Sequence, residues 1–161
     1  MIDVFEKTSE ASQQALREAL PLIAILIGKA DNNLDVKELE LAKKIAHIRT
    51  FNSPDYLIPF YEQVEKEFDD NIEMFLKEFP EDAKTRGAII AERLEKLNPI
   101  LAALEPRPAS ILYQGFVRFS KEIAKASGGF LGFMSVNSEE SKWVNLPMLT
   151  PIETPEEEEE E

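Results

Sequence analysis

Apolar residues recur along this chain at steps of three and four rather than two, the period of helices with one buried face, which predicts an all-α fold. The pattern is plainest in the stretch carrying Leu57, Phe60, Tyr61, Val64 and Phe68. Ser53 is its expected N-cap and Pro54 its first helical residue. Upstream, residues 9–29 predict a helix with Leu16, Leu20, Ile23 and Ile27 on one face, kinked or split by Pro21. Residues 36–48 predict another, with Val36, Leu39, Ala42, Ile45 and Ala46 turned inward. Downstream, a short helix over residues 72–79 is closed by Pro80. A further one over 83–97, with Ile90, Leu94 and Leu97 aligned, is interrupted at Asn98-Pro99. Glu105-Pro106-Arg107-Pro108 reads as a rigid joint before a long helix over 109–127, whose inward face is Leu112, Phe116, Phe119 and Ile123. Gly128-Gly129 supplies its C-cap, and a last short helix near 138–146 stops at Pro147.

Composition narrows the chemistry. At 161 residues the chain is one domain with enough length to bury a core unaided. It has no cysteine and one histidine, His47, so thiolate metal sites, cysteine nucleophiles and CxxC redox pairs are excluded. Any bound metal is expected to be a hard, oxygen-held cation. The first residues lack the basic region of a signal peptide, and the longest apolar run, 19–28, is half of what a bilayer requires. A cytoplasmic location without membrane insertion is therefore expected. The formal charge is -13, of which Glu153 and Glu156 to Glu161 supply seven, leaving -6 on residues 1–152. With no basic cluster to neutralise phosphates, nucleic acid and anionic membranes are poor partners, while cations and basic protein surfaces are better ones. The division expected is a helical domain over 1–149 and a disordered acidic tail over 150–161, which serves either solubility or capture of a basic partner.

One stretch gathers carboxylates for a visible reason: Ala30-Asp31-Asn32-Asn33-Leu34-Asp35-Val36-Lys37-Glu38. Asp31, Asn33 and Asp35 occupy alternate positions, as at the start of a calcium loop, where oxygen side chains on a turning backbone converge on one point. An EF-hand then fails, because Val36 stands where the turn wants glycine and Ala42 where a closing glutamate is needed. The plainer reading is a capping box, with Asp35 as N-cap and Glu38 three residues on. Ser135-Val136-Asn137-Ser138-Glu139-Glu140 echoes the same offsets, most simply as a second capping box; the alternative is two helical halves packed face to face, which would bring Glu140 towards Asp31 and Glu38.

These residues resemble the TerB-like family, named for tellurite resistance proteins. The likeness rests on an apolar helix leading into the Ala30–Glu38 stretch, on Arg49-Thr50-Phe51, and on Lys125-Ala126-Ser127-Gly128-Gly129-Phe130-Leu131-Gly132-Phe133 before a closing helix. It spans residues 12–149 and is similar to a divergent bacterial branch. The resemblance implies a bundle of about seven helices with quasi-symmetric halves, no catalysis, and a divalent-cation site at Asp31 and Glu38. Asn32 replaces the family's glycine, and Phe133 stands where a counterpart of Asp31 is expected.

The expected function is thus a non-enzymatic helical module in a stress response or protein interaction, binding calcium or magnesium through Asp31, Asn33, Asp35, Glu38 and Glu140. The alternatives are a metal-assisted hydrolase using the same carboxylates, or a purely structural adaptor for a basic partner. Glu65 with Asp69, Asp70 with Glu73, and Glu92 with Glu95 have the spacing of two-carboxylate chemistry but read as surface charge. His47 reads as a residue favouring the negative end of its helix. The loop Gly128 to Met134 either plugs the core with its phenylalanines or meets a partner.

Overall fold

Six α-helices and one short 3-10 turn follow one another among the described residues: α1 (Glu10–Gly28), α2 (Val36–Asn52), the turn (Asp55–Leu57), α3 (Ile58–Glu78), α4 (Ala83–Glu95), α5 (Leu97–Ala103) and α6 (Pro106–Ser127). The computed structural model describes residues 3–28, 36–127 and 142–153, and within them leaves out the side chains of 36–39, 49–52 and 126–127.

The centre of the molecule is α1. Its first half is amphipathic, but every residue from Ala19 to Gly28 is buried, as expected of a helix apolar all round. It packs against α3 and α6 on its two main sides and also meets α2, α4 and α5. Pro21 lies inside this burial and the helix runs through it unbroken, so the expected split does not occur. Each aliphatic side chain sealed here contributes about 1.5–3 kcal/mol.

Two expected helices are one: α3 continues through Asp69-Asp70-Asn71 to Glu78. The inward spacing explains this, since Phe68 is followed at helical steps by Asn71, Ile72 and Phe75, all buried. No proline or glycine interrupts them. The start of α3 is also displaced. Pro54 caps the 3-10 turn, Leu57 ends it, and the α-helix begins at Ile58 with Pro59 in its first turn. There the missing N–H of proline is no loss.

The same logic corrects two other joints. Asn98 and Pro99 lie in the first turn of α5, and the break falls before them at Lys96. Pro106 and Pro108 open α6 instead of forming a separate rigid linker. Helix α2 ends at Asn52, where a stop near Asn52-Ser53-Pro54 is expected. It buries Ala42 and Ala46 as expected, and exposes Leu41 and Ile48 on its other side.

Residues 142–153 return across the bundle. The hydroxyl of Ser120 on α6 donates to the Val144 carbonyl at 2.7 Å. Leu146 takes a positive φ of 49° and Leu149 follows it into the core. A leucine in that left-handed region carries a cost of roughly 1–2 kcal/mol, offset here by complete burial of its side chain. Trp143 lies against α4 so closely that a Cβ built on Gly87 would stand 2.9 Å from its Nε1, which accounts for glycine at that position. Gly128-Gly129, residues 138–141 of the helix expected near 138–146, and the tail from residue 154 lie outside the described residues; of the rest of that helix only 142–143 are helical.

Candidate functional site

The expected cation site falls almost wholly outside the described residues. Asp31, Asn33 and Asp35 lie between α1 and α2, Glu140 lies between α6 and the returning segment, and none of the four is described. Glu38 is placed only as a backbone position in the first turn of α2. Phe130, Phe133 and Met134 also lie outside. Among the described residues no three His, Asp or Glu side chains are grouped so as to hold a metal ion.

Four of the described carboxylates, Glu65, Glu67, Asp69 and Glu78, pair with basic side chains of neighbouring helices. Along the α2–α3 seam Lys43 Nζ lies 2.7 Å from Asp69, and His47 Nδ1 lies 2.8 Å from Glu65. The two pairs advance in opposite directions along the helices, as an antiparallel packing requires. The hydrogen bond from Lys43 to Asp69 raises the lysine above its ordinary pKa, and the charge attraction of Asp69 adds to it. His47 thus bonds a neighbouring helix instead of serving only its own helix end. On the opposite side of α3, Arg17 of α1 reaches Glu67 at 3.4 Å and Glu10 at 2.9 Å. Arg93 of α4 reaches Glu78 at 2.7 Å while its guanidinium lies over the rings of Phe75 and Phe79.

The turn from α3 to α4 is fixed by its own polar groups. Asp82 caps α4, accepting from the Thr85 amide at 2.8 Å and the Thr85 hydroxyl at 2.6 Å, and these bonds lower its carboxyl pKa. Arg86, 2 % exposed, donates to the carbonyl of Glu81 at 2.8 Å and to that of Pro80 at 3.4 Å. Burial pushes its guanidinium below the usual value, and the nearby acids partly oppose this.

A concavity among the described residues lies elsewhere. Helix α5, the first turn of α6 and residues 150–152 enclose a groove of about 500 Å³. Pro99, Leu101, Leu104, Pro106, Ala109 and Ile152 make its walls, with Ala102 exposed at its mouth. Its two polar lining residues are Asn98 and Thr150. They are tied to one another: the Thr150 amide donates to Asn98 Oδ1 at 2.9 Å, and Asn98 Nδ2 donates to the Met148 carbonyl at 3.0 Å. The Asn98 amide is thereby used at both ends, and the groove presents an apolar surface.

Neither a family model, nor a curated protein, nor a solved structure matches this chain. The groove escapes a reading of the sequence because its walls come from segments some fifty positions apart, and because the prolines that open α5 and α6 also resemble linker signals. The signal present was the spacing of Leu97, Leu101 and Leu104, which marks a short amphipathic helix after Lys96.

No helix among the described residues is long and apolar enough to cross a membrane.

Proposed function

We infer that this chain is a non-catalytic, TerB-like helical module that acts by binding, in protein interaction or a stress response. On this reading it resides in the cytoplasm and holds calcium or magnesium at its acidic loop, through Asp31, Asn33, Asp35 and Glu38 with Glu140 as a further ligand.

The supporting observation is how the described carboxylates are used. Glu65 and Asp69, one of the pairs spaced for two-carboxylate chemistry, are bonded across the α2–α3 seam to His47 and Lys43. Glu67 and Glu78 are likewise held by arginines of α1 and α4. A general acid or base must exchange its proton with a bound substrate, and each of these four carboxylates is engaged by a basic side chain on a neighbouring helix. The apolar groove of α5 and α6 adds a concave surface of the kind that binds.

The test is turnover. The protein is incubated with p-nitrophenyl phosphate, bis-p-nitrophenyl phosphate and p-nitrophenyl acetate, with calcium, magnesium or manganese present. The expected result is no release above the buffer rate, with identical traces for wild type and Asp31→Asn. Cation-dependent release that disappears in Asp31→Asn would contradict the reading and favour a metal-assisted hydrolase on the same acids.

A further inference from the structure

Glu92 and Glu95, one of the pairs spaced for two-carboxylate chemistry, are used differently from the acids that join the helices. Both are exposed, and among the described residues neither is paired with a basic side chain. Arg93, the base of the same turn, is turned to Glu78. Ala88, Ala91, Glu92 and Glu95 stand at helical steps of three and four, so they share one face of α4. With Ile89 beside them and Trp143 and Met148 of the returning segment, they line a concavity of about 480 Å³. The two carboxylates are the only charged groups among its lining residues. Two lysines adjoin that lining in sequence, Lys96 and Lys142. Lys142 shows what the wall accepts, because its ammonium stands 4.9 Å from the centre of the Trp143 ring. That lysine is exposed, and at exposed sites such a contact is weak and readily exchanged.

We propose that this concavity binds an aliphatic ammonium group, carried by a free diamine or polyamine or by a lysine side chain. Each part of the lining has a matching part in such a group. The carboxylates of Glu92 and Glu95 accept from its N–H donors, the Trp143 ring attracts its charge, and Ala88, Ile89 and Met148 cover its methylenes. The two acids also lie in the last turn of α4, where the negative end of the helix dipole adds to the attraction for a cation. Other occupants fit less well. An anion is repelled by both carboxylates, and a neutral apolar molecule would strip water from them and give nothing back. A hard divalent ion finds two carboxylate side chains beside an indole and a thioether, neither of which supplies oxygen, and no three acids or histidines are grouped among the described residues. The volume lies within the range of about 300–1,000 Å³ typical of ligand clefts. This site goes beyond the binding reading above and shares no residue with the acidic stretch from Asp31 to Glu38.

The test uses the full chain and the emission of Trp143, its one tryptophan, with calorimetry of the same titrations as a second readout. The probes are cadaverine, spermidine and a five-residue alanine peptide with a central lysine and both ends blocked. Hexane-1,6-diol and glutarate are the neutral and anionic controls. An ionic strength of about 0.15 M, with a Debye length of about 8 Å, screens attraction by the rest of this acidic chain. The wild type is expected to bind the amines saturably and the controls not at all. Replacing both acids, Glu92→Gln with Glu95→Gln, is expected to weaken binding by about tenfold or more. Both side chains are exposed, and circular dichroism and the melting temperature verify that the fold is kept. Lys142→Ala is expected to bind more tightly, because its own ammonium no longer competes for the ring. Tighter binding of the peptide than of cadaverine and spermidine assigns the site to a lysine of a partner protein, and the reverse order assigns it to a free amine.

Three results would overturn the proposal. The first is no saturable change in emission or heat with any of the amines. The second is equal binding by the wild type and the double glutamine variant, which would place the amine away from these carboxylates. The third is an equal response to hexane-1,6-diol, which would reduce the contact to its methylenes. The turnover assay separates the two levels of the account. Absence of amine binding leaves the reading of the acidic stretch as it stands, whereas cation-dependent turnover lost in Asp31→Asn removes that reading and leaves this site in place.

Discussion

Phe116→Ala is expected to lower the unfolding free energy by about 3–5 kcal/mol, read from urea or thermal melts. Phe116 has no exposed surface and sits midway along α6, the helix that packs on both α1 and α2. Removing its ring withdraws a large apolar area from burial and leaves a cavity in a close-packed core. Against a total stability of about 5–15 kcal/mol for a domain of this size, that loss is a large fraction. Ile48→Ala is the matched control. Ile48 is 46 % exposed on α2, so its truncation is expected to fall within about 0.5 kcal/mol of wild type. A loss below about 1 kcal/mol for Phe116→Ala would mean that α6 is not seated on the core as described.

Arg86→Ala is expected to cost about 2–4 kcal/mol by the same measurement. The guanidinium is buried at the start of α4 and donates to two carbonyls of the preceding turn, Glu81 and Pro80. Deleting it leaves those carbonyls without a charged donor, worth about 1.5–3 kcal/mol, and also withdraws the packing of the arginine stem. Arg86→Met restores only the packing and is expected to fall between alanine and wild type. Wild-type stability in Arg86→Ala would show that water replaces the guanidinium at no cost.

Much of this fold is legible in the sequence wherever one periodic face is long enough. Leu112, Phe116, Phe119 and Ile123 mark the buried face of α6, and Leu16, Leu20, Ile23 and Ile27 mark that of α1. The complete burial of the second half of α1 was less visible, because a face that is apolar all round loses its period. Proline misleads in both directions. Pro99, Pro106 and Pro108 stand in first turns, where the missing donor is harmless, yet the same residue elsewhere ends a helix. Asp69-Asp70-Asn71 resembled a break because polar residues cluster there, but Asn71 faces inward and the apolar steps resume at Ile72.

Function is legible unevenly, for a related reason. The acidic stretch from Asp31 to Glu38 stands out because its oxygens lie close together in sequence. The groove depends on a meeting between α5 and residues 150–152, which the two hydrogen bonds of Asn98 hold in place. Local composition carries no sign of that meeting, and the stretch that supplies Thr150 and Ile152 read as the beginning of an acidic tail. His47 and Lys43 likewise acquire their roles only when α2 is laid against α3.

The central claim is a helical binding module whose acidic loop holds a hard divalent cation. Calorimetric titration of metal-free protein with calcium and then magnesium, with Asp31→Asn in parallel, tests it most directly. Saturable uptake by the wild type that is lost in Asp31→Asn is the predicted result, since removing one carboxylate from a small oxygen cage leaves too few hard ligands. Absence of binding, or equal binding by Asp31→Asn, would contradict the claim and leave Asp35 and Glu38 as a capping box at the start of α2.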